Sequence, residues 1–486
     1  MSLGTAARPL RVAVIGAGPA GFYVAEHLLR RADLVAEVDM FDRLPTPYGL
    51  VRAGVAPDHQ KIKAVTGAFD KVAAHPRFRF FGGVELGKDV SVGDLREHYH
   101  QIVYATGAQT DRRMGIPGED LPGSHPATEF VAWYNGHPDY RDCQFDLSQE
   151  RVAVVGVGNV AVDVARILCR TPEELARTDI AEHALQALRH SRVKEVYLLG
   201  RRGAAQAAFT NPEIKELGEL EAADVVVLPE EVELDFLSRD MLEKSNDRAG
   251  VKKVQILQAY ARREAAGKPR RLTLRFLVSP VAVLANGVGA VGGIRLVRNR
   301  LVASAAGAIQ AQATDQLEEL PVGLVFRSVG YRGVPLSGVP FDDKWGVVLN
   351  EKGRVLDPDT KQPLAGEYTA GWIKRGPTGV IGTNKPDAGE TVTGMLEDLE
   401  SGHTLAPAEP DPAAAARLVA QRRPDVIAWA DWLHLDALEV ARGQAGGCPR
   451  VKFTRMEDML AALAGTAGAP ERYRRGAQRG GLRPSE

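Results

Sequence analysis

The chain reads as an α/β protein with two Rossmann-like dinucleotide-binding domains, the second inserted into the first. Three observations predict this. An apolar run over residues 11–15 leads into Gly16-Ala17-Gly18-Pro19-Ala20-Gly21, a glycine turn set between a strand and a helix. The pattern recurs where the run 151–155 leads into Gly156-Val157-Gly158-Asn159-Val160-Ala161. Strand-like runs at 322–330 and 368–371 follow the second pattern, so the chain returns to its first domain: 1–108 and 326–486, interrupted by 109–325.

The elements follow in order. Residues 10–16 alternate and are β-branched, which favours a strand. Residues 22–31 place Val24, Leu28 and Leu29 on one helical face, and 35–41 supply the next strand. Residues 45–57 are too rich in Pro and Gly for a long helix, and 101–107 form a buried strand ending at Thr106-Gly107. Residues 151–166 repeat the strand–turn–helix unit, and the charged stretch 171–192 separates it from a strand at 193–200. Residues 271–302 alternate with glycine-rich turns and predict antiparallel strands. Further on, 387–399 predict a helix, 405–415 a linker, 419–438 a helix with two Trp, and 466–486 a disordered Arg-rich tail.

Composition narrows the function. At 486 residues the chain is too long for one compact core, and 44% apolar with 25% charged residues is ordinary for a globular protein. A net charge of −1 gives no overall pull on nucleic acid or an anionic membrane. No run approaches about 18 apolar residues, so no membrane-spanning helix is expected. The cysteines Cys143, Cys169 and Cys448 form no Cys-x-x-Cys pair. A zinc ribbon, an iron–sulfur cluster and a redox dithiol are not expected, and no metal site is read. The first strand is reached by Arg11, which leaves no room for a leader; the expected location is the cytoplasm.

Different charges follow the two turns. The second strand of the first unit ends in Asp42, where an acid accepts hydrogen bonds from a ribose diol. The matching strand of the second unit ends in Arg201-Arg202, and paired guanidinium forks suit a 2′-phosphate. The plainer alternative is two exposed arginines on a turn. One dinucleotide without the extra phosphate and one with it point to FAD plus NADPH.

Longer motifs carry a resemblance. These are Pro45-Thr46-Pro47-Tyr48-Gly49-Leu50-Val51-Arg52 with Pro57-Asp58-His59-Gln60, then Gln206-Ala207-Ala208-Phe209-Thr210, then Arg327-Ser328-Val329-Gly330-Tyr331. The longest is Gly371-Trp372-Ile373-Lys374-Arg375-Gly376-Pro377-Thr378-Gly379-Val380-Ile381-Gly382-Thr383-Asn384-Lys385. In this order they resemble the adrenodoxin reductase family of ferredoxin–NADP reductases, its bacterial members above all, over residues 10–400. The resemblance implies that FAD lies against Gly16, Gly18, Ala20, Gly21, Asp42, Leu50, Val84, Trp372 and the backbone of Gly379, Val380 and Ile381. It implies that NADP meets Arg112, Val157, Gly158, Asn159, Val160, Arg201, Arg202 and Glu213, with Gly379 near the nicotinamide. His59 and Glu216 match the family's polar pair beside the flavin and are the catalytic candidates. Alternatives stay open: His59 as a capping residue, Glu216 on a solvated face, Trp372 as packing. A helix near 387 would aim its positive end at the flavin N1–O2 edge.

Residues 248–275 hold nine Lys and Arg against one acid, Glu264. That excess suits either a docking face for an acidic partner or a charged hairpin edge. The implied activity is NADPH-dependent ferredoxin reduction by a monomer. FAD takes hydride from NADPH, and single electrons pass to an acidic, transiently docked iron–sulfur ferredoxin that serves a cytochrome P450 or another ferredoxin-dependent enzyme. A disulfide reductase is disfavoured by the missing dithiol, and a glutamate-synthase-type input subunit by missing cysteine clusters. A sensor that holds both cofactors without turnover is the non-enzymatic alternative.

Overall fold

The computed structural model describes residues 2–305 and 307–465; the predicted tail 466–486 lies outside them. The chain divides into two compact units. One takes residues up to Val55, His59–Thr110 and the chain from Tyr331; the other takes Ala56–Asp58 and Asp111–Gly330.

The first unit is built on a seven-stranded sheet. Its order is Asn350–Glu351, Arg354–Leu356, Pro363–Thr369, Gln101–Tyr104, Leu10–Ile15, Ala36–Asp42, Phe78–Gly82. The last five strands run parallel, and all six residues of Leu10–Ile15 are buried. Leu10, Val12 and Val14 face one apolar cluster with Phe22, Leu28 and Met395, while Ala13 and Ile15 face another with Phe41, Tyr99 and Tyr104. Both faces of the strand are therefore covered, and its one charge, Arg11, is buried against Glu37 and Asp39. The helix after the first turn spans Pro19–Leu29, with Pro at its first position, where no N–H is needed. The expected helix at 387–399 is longer, Asn384–Glu400.

The second unit has a six-stranded, all-parallel sheet. Its order is Ser124–Pro126, Leu324–Arg327, Arg151–Val155, Glu195–Leu199, Arg270–Arg275, Ala223–Val227. The prediction of antiparallel strands from 271 onward needs a correction. Arg270–Arg275 lies inside the parallel sheet, where its buried positions Leu272 and Leu274 are sandwiched between neighbouring strands. The antiparallel sheet is a separate one of three strands, Val278–Ala285, Val291–Ala303 and Ile309–Leu320. Alternation alone does not separate a strand in a meander from one that inserts into a distant sheet.

Two further expectations change. The helix read at 419–438 is two helices, Pro412–Arg422 and Trp429–Gly446, because Pro424 cannot continue a helix past Arg423. The basic stretch is no hairpin. Residues Arg248–Ala261 are a helix, and four of the stretch's nine charges make the following bonds inside the unit. Arg270 donates to the carbonyls of Cys169, Arg170 and Val193; Arg275 pairs with Glu231 and Glu318; Lys253 and Lys268 donate to the carbonyls of Ala207 and Leu220. Among the described residues no helix is long and apolar enough to cross a membrane.

Candidate functional site

The two glycine turns share one construction. Gly16 holds φ +112°, and a Cβ there would stand 2.5 Å from the Ala105 carbonyl oxygen; Gly156 holds φ +131°, with the Ser328 oxygen 2.2 Å from such a Cβ. Only glycine fits either position, and each lets the chain turn directly from strand to helix. The helices that follow, Pro19–Leu29 and Asn159–Cys169, start at Gly18 and Gly158 with no side-chain cap and no acid in the first turn. Their first N–H groups and positive dipole ends are left for an anion, the chemistry a pyrophosphate needs. No heavy atom lies within 4 Å of where a Gly158 Cβ would stand.

In the first unit, Asp42 accepts from the Ala17 N–H at 2.8 Å and the Leu44 N–H at 2.9 Å. Burial pushes its carboxyl up. Two main-chain bonds leave a carboxylate with acceptor capacity to spare for a ribose. Leu50 opens the short helix Leu50–Ala53, and Val84 is buried. The segment on either side of Leu50 is held by the C-terminal helix Trp429–Gly446, to which the sequence alone assigns no role. Arg52 makes two bonds to the fully buried Glu439, at 2.8 and 2.6 Å, and Trp432 donates to the Tyr48 hydroxyl at 3.2 Å. Tyr48 holds φ +81°, an outlier for a bulky residue that its packing keeps in place.

Gly371 brings the long motif against the first turn: a Cβ on it would meet the Ala20 Cβ at 2.5 Å. Its N–H donates to Asp387 at 2.6 Å, and Lys374 pairs with the same carboxylate at 3.2 Å. The loop carrying Gly379, Val380 and Ile381 wraps around Arg375. That guanidinium donates to the Thr378 carbonyl at 2.5 Å and hydroxyl at 3.0 Å, to Thr383 at 3.2 Å and to Asn384 at 2.9 Å. Trp372 is half-buried and donates to the same Thr378 carbonyl at 3.1 Å. The helix beginning at Asn384 carries Asp387 in its first turn, paired with Lys374 and Arg375; Lys374 also pairs with Glu390 at 2.6 Å. His59 is buried at the cap position of Gln60–Lys63, yet makes no side-chain cap bond.

In the second unit, Arg201 is exposed and Arg202 half-buried, and neither side chain makes an ion pair among the described residues. Burial and the neighbouring Arg201 hold the Arg202 guanidinium below its usual pKa. Two adjacent cations kept without a carboxylate are poised for an anion. Arg112 donates from its N–H to Gly330 O at 2.8 Å. The Asn159 side chain turns inward and accepts from the Thr210 N–H at 2.9 Å, while Val157 O accepts from Ala208 and Phe209. Glu213 is buried and Glu216 half-buried on the helix Asn211–Leu217.

One group in this unit escaped sequence reading. Arg166 is fully buried and pairs with Asp58 at 2.8 Å, Asp163 at 2.7 Å and Glu213 at 3.2 Å; Arg170 also reaches Asp58 at 2.8 Å. The legible signal was Asp163 and Arg166, three apart in an otherwise apolar helix. All three cysteines are free, and burial pushes the Cys169 thiol up to about 12.

The fold and the paired turns define a flavoprotein-type oxidoreductase with two dinucleotide sites. Residues 10–230 match the family described as pyridine nucleotide-disulphide oxidoreductase. The chain is 47% identical over 466 residues to the NADPH-ferredoxin reductase FprA of Mycobacterium tuberculosis, covering 93% of this chain and 99% of the relative. It is 42% identical to the mitochondrial NADPH:adrenodoxin oxidoreductase of Arabidopsis thaliana, over 94% of this chain and 96% of the relative. The solved structure of M. tuberculosis FprA in complex with NADPH superposes with a TM-score of 0.88 at 45% identity, over 94% of this chain and 99% of that one. The chain belongs to the adrenodoxin reductase-like NADPH–ferredoxin reductases.

Proposed function

We propose that the first unit seats FAD and the second NADPH, and that the protein is a cytoplasmic, monomeric ferredoxin–NADP reductase. Its activity is NADPH-dependent reduction of a ferredoxin. Bound FAD supplies the conversion of a two-electron hydride donor into single-electron output. The chain's own residues bind and orient. The N–H groups of the two turns take the pyrophosphates, Asp42 takes a ribose, and Arg201 with Arg202 takes the 2′-phosphate. Arg375 and Asp387 fix the loop carrying Gly379, Val380 and Ile381 and the Trp372 turn, while the helix start at Asn384 directs its positive dipole end there. His59 and Glu216 are the candidate polar groups beside the reacting ring.

The observation that carries the reading is the unpaired, partly desolvated arginine couple after the second turn, set against the acid after the first. The partner is proposed as a small acidic iron–sulfur protein that docks transiently and serves a cytochrome P450 or another ferredoxin-dependent enzyme. The decisive experiment is NADPH-driven cytochrome c reduction by the purified yellow protein. Turnover only when a ferredoxin is added supports the assignment; two bound cofactors without such turnover would leave a sensor instead.

A further inference from the structure

The arginine couple is held from outside its own βαβ unit. Gly200, Arg201 and Arg202 follow the strand Glu195–Leu199, and three successive carbonyls accept bonds from the segment 277–299. Val278 N–H donates to Gly200 O at 3.0 Å, Asn299 Nδ2 to Arg201 O at 2.8 Å, and Leu277 N–H to Arg202 O at 3.2 Å. Asn299 is 6% exposed. Its Nδ2 also donates to Ser279 Oγ at 2.8 Å, and its N–H to Leu277 O at 2.7 Å, so two of the three pins are tied to each other.

The local geometry is unusual in two ways that serve this contact. Leu277 holds φ +57°, a left-handed conformation uncommon for leucine, and bonds on both its N–H and its carbonyl keep it there. The ladder between Val291–Ala303 and Ile309–Leu320 shifts register between Val297 and Asn299. Such an irregularity re-aims a side chain out of the regular alternation. Here the re-aimed side chain meets the backbone of the arginine turn.

We propose that Asn299 is a positioning residue for nicotinamide-cofactor specificity. By fixing the Arg201 carbonyl, it sets the direction of the two guanidinium forks that distinguish a 2′-phosphate from a 2′-hydroxyl. The inference rests on the reading of Arg201 and Arg202 given above. A guanidinium grips phosphate through parallel N–H···O bonds, so the fit depends on direction as well as charge. Asn299 contributes no charge, and its removal changes only the aim.

The test is calorimetric titration of the full chain with 2′,5′-ADP, which carries the 2′-phosphate, and with 5′-AMP, which does not. Kinetics with NADPH and NADH, using ferricyanide as acceptor, run beside it. In Asn299→Ala, 2′,5′-ADP should bind about tenfold more weakly, the scale of one lost orienting bond, while 5′-AMP stays within about twofold. The KM for NADPH should rise with kcat held. Where the alanine variant folds poorly, the uncharged, near-isosteric Asn299→Leu removes the donor with little change of volume and should give the same selective loss. Equal weakening of both ligands, or of neither, overturns the proposal. Arg201→Ala/Arg202→Ala separates the two readings. If that variant still binds 2′,5′-ADP normally, the phosphate assignment itself has failed. If it loses 2′,5′-ADP while Asn299→Ala does not, only the role of Asn299 has failed.

Discussion

Replacing Arg201 and Arg202 by alanine tests the second site most directly. Neither side chain pairs with a described carboxylate, so their removal leaves no buried acid behind and the fold should hold. A hydrogen bond to a charged group contributes about 1.5–3 kcal/mol. Arg202 is half-buried and lies near the upper end, which corresponds to about a hundredfold in affinity; Arg201 is exposed, screened, and worth about tenfold. Together the pair should lower kcat/KM for NADPH by roughly two to three orders of magnitude, mostly through KM. NADH lacks the phosphate and should change by less than about threefold. Steady-state rates with both nucleotides and ferricyanide read this out, with a melting curve as the control. Parallel losses for NADPH and NADH, or a larger effect at Arg201 than at Arg202, would refute the reasoning.

Other consequences can be checked alongside it. Gly371→Ala places a methyl where the Ala20 Cβ stands 2.5 Å away, so the purified variant should carry much less flavin by its visible-to-ultraviolet absorbance ratio; full flavin content would contradict the close approach. Burial pushes the Asp111 carboxyl up to about 6, above an ordinary carboxylate near ~3.9. The folded state therefore holds this proton more tightly, and stability falls as pH rises from about 4 to about 6. Asp111→Asn keeps an acceptor for Thr128 and should remove that slope, raising stability at pH 8 by up to about 2 kcal/mol in urea titrations; an unchanged pH profile speaks against it. In the native protein Cys169 should resist iodoacetamide while Cys143 and Cys448, both partly exposed, react first; mass spectrometry showing early Cys169 labelling would overturn its burial. Arg270→Gln and Arg275→Gln should lower the melting temperature with little effect on the KM for ferredoxin, whereas a selective ferredoxin defect would place these two arginines in a docking face.

The parts of the fold that sequence made legible are those where local chemistry decides. Gly16 and Gly156 announce themselves because no other residue fits their backbone, and Asp42 and Arg201-Arg202 because they end strands that follow such turns. The sheet position of Arg270–Arg275 is not legible, because its neighbours come from positions far away in sequence and period alone does not name them. In the basic stretch, counting charges does not show which are satisfied by carbonyls such as those of Cys169 and Leu220. Arg375, Asn299 and Arg166 were missed for a common reason. Each acts by holding another residue's backbone or carboxylate, and nothing in its own neighbourhood of sequence advertises that task.

Asp58 gives the second unit a boundary that a simple cut does not respect. A fragment of residues 111–330, expressed alone or grafted onto another reductase, would strip Arg166 and Arg170 of a shared carboxylate that lies more than a hundred positions upstream. A guanidinium sealed from water tolerates such a loss poorly. Anyone shuffling modules among these enzymes should therefore carry three residues, Ala56–Asp58, across with the rest, or expect the transplanted piece to melt early.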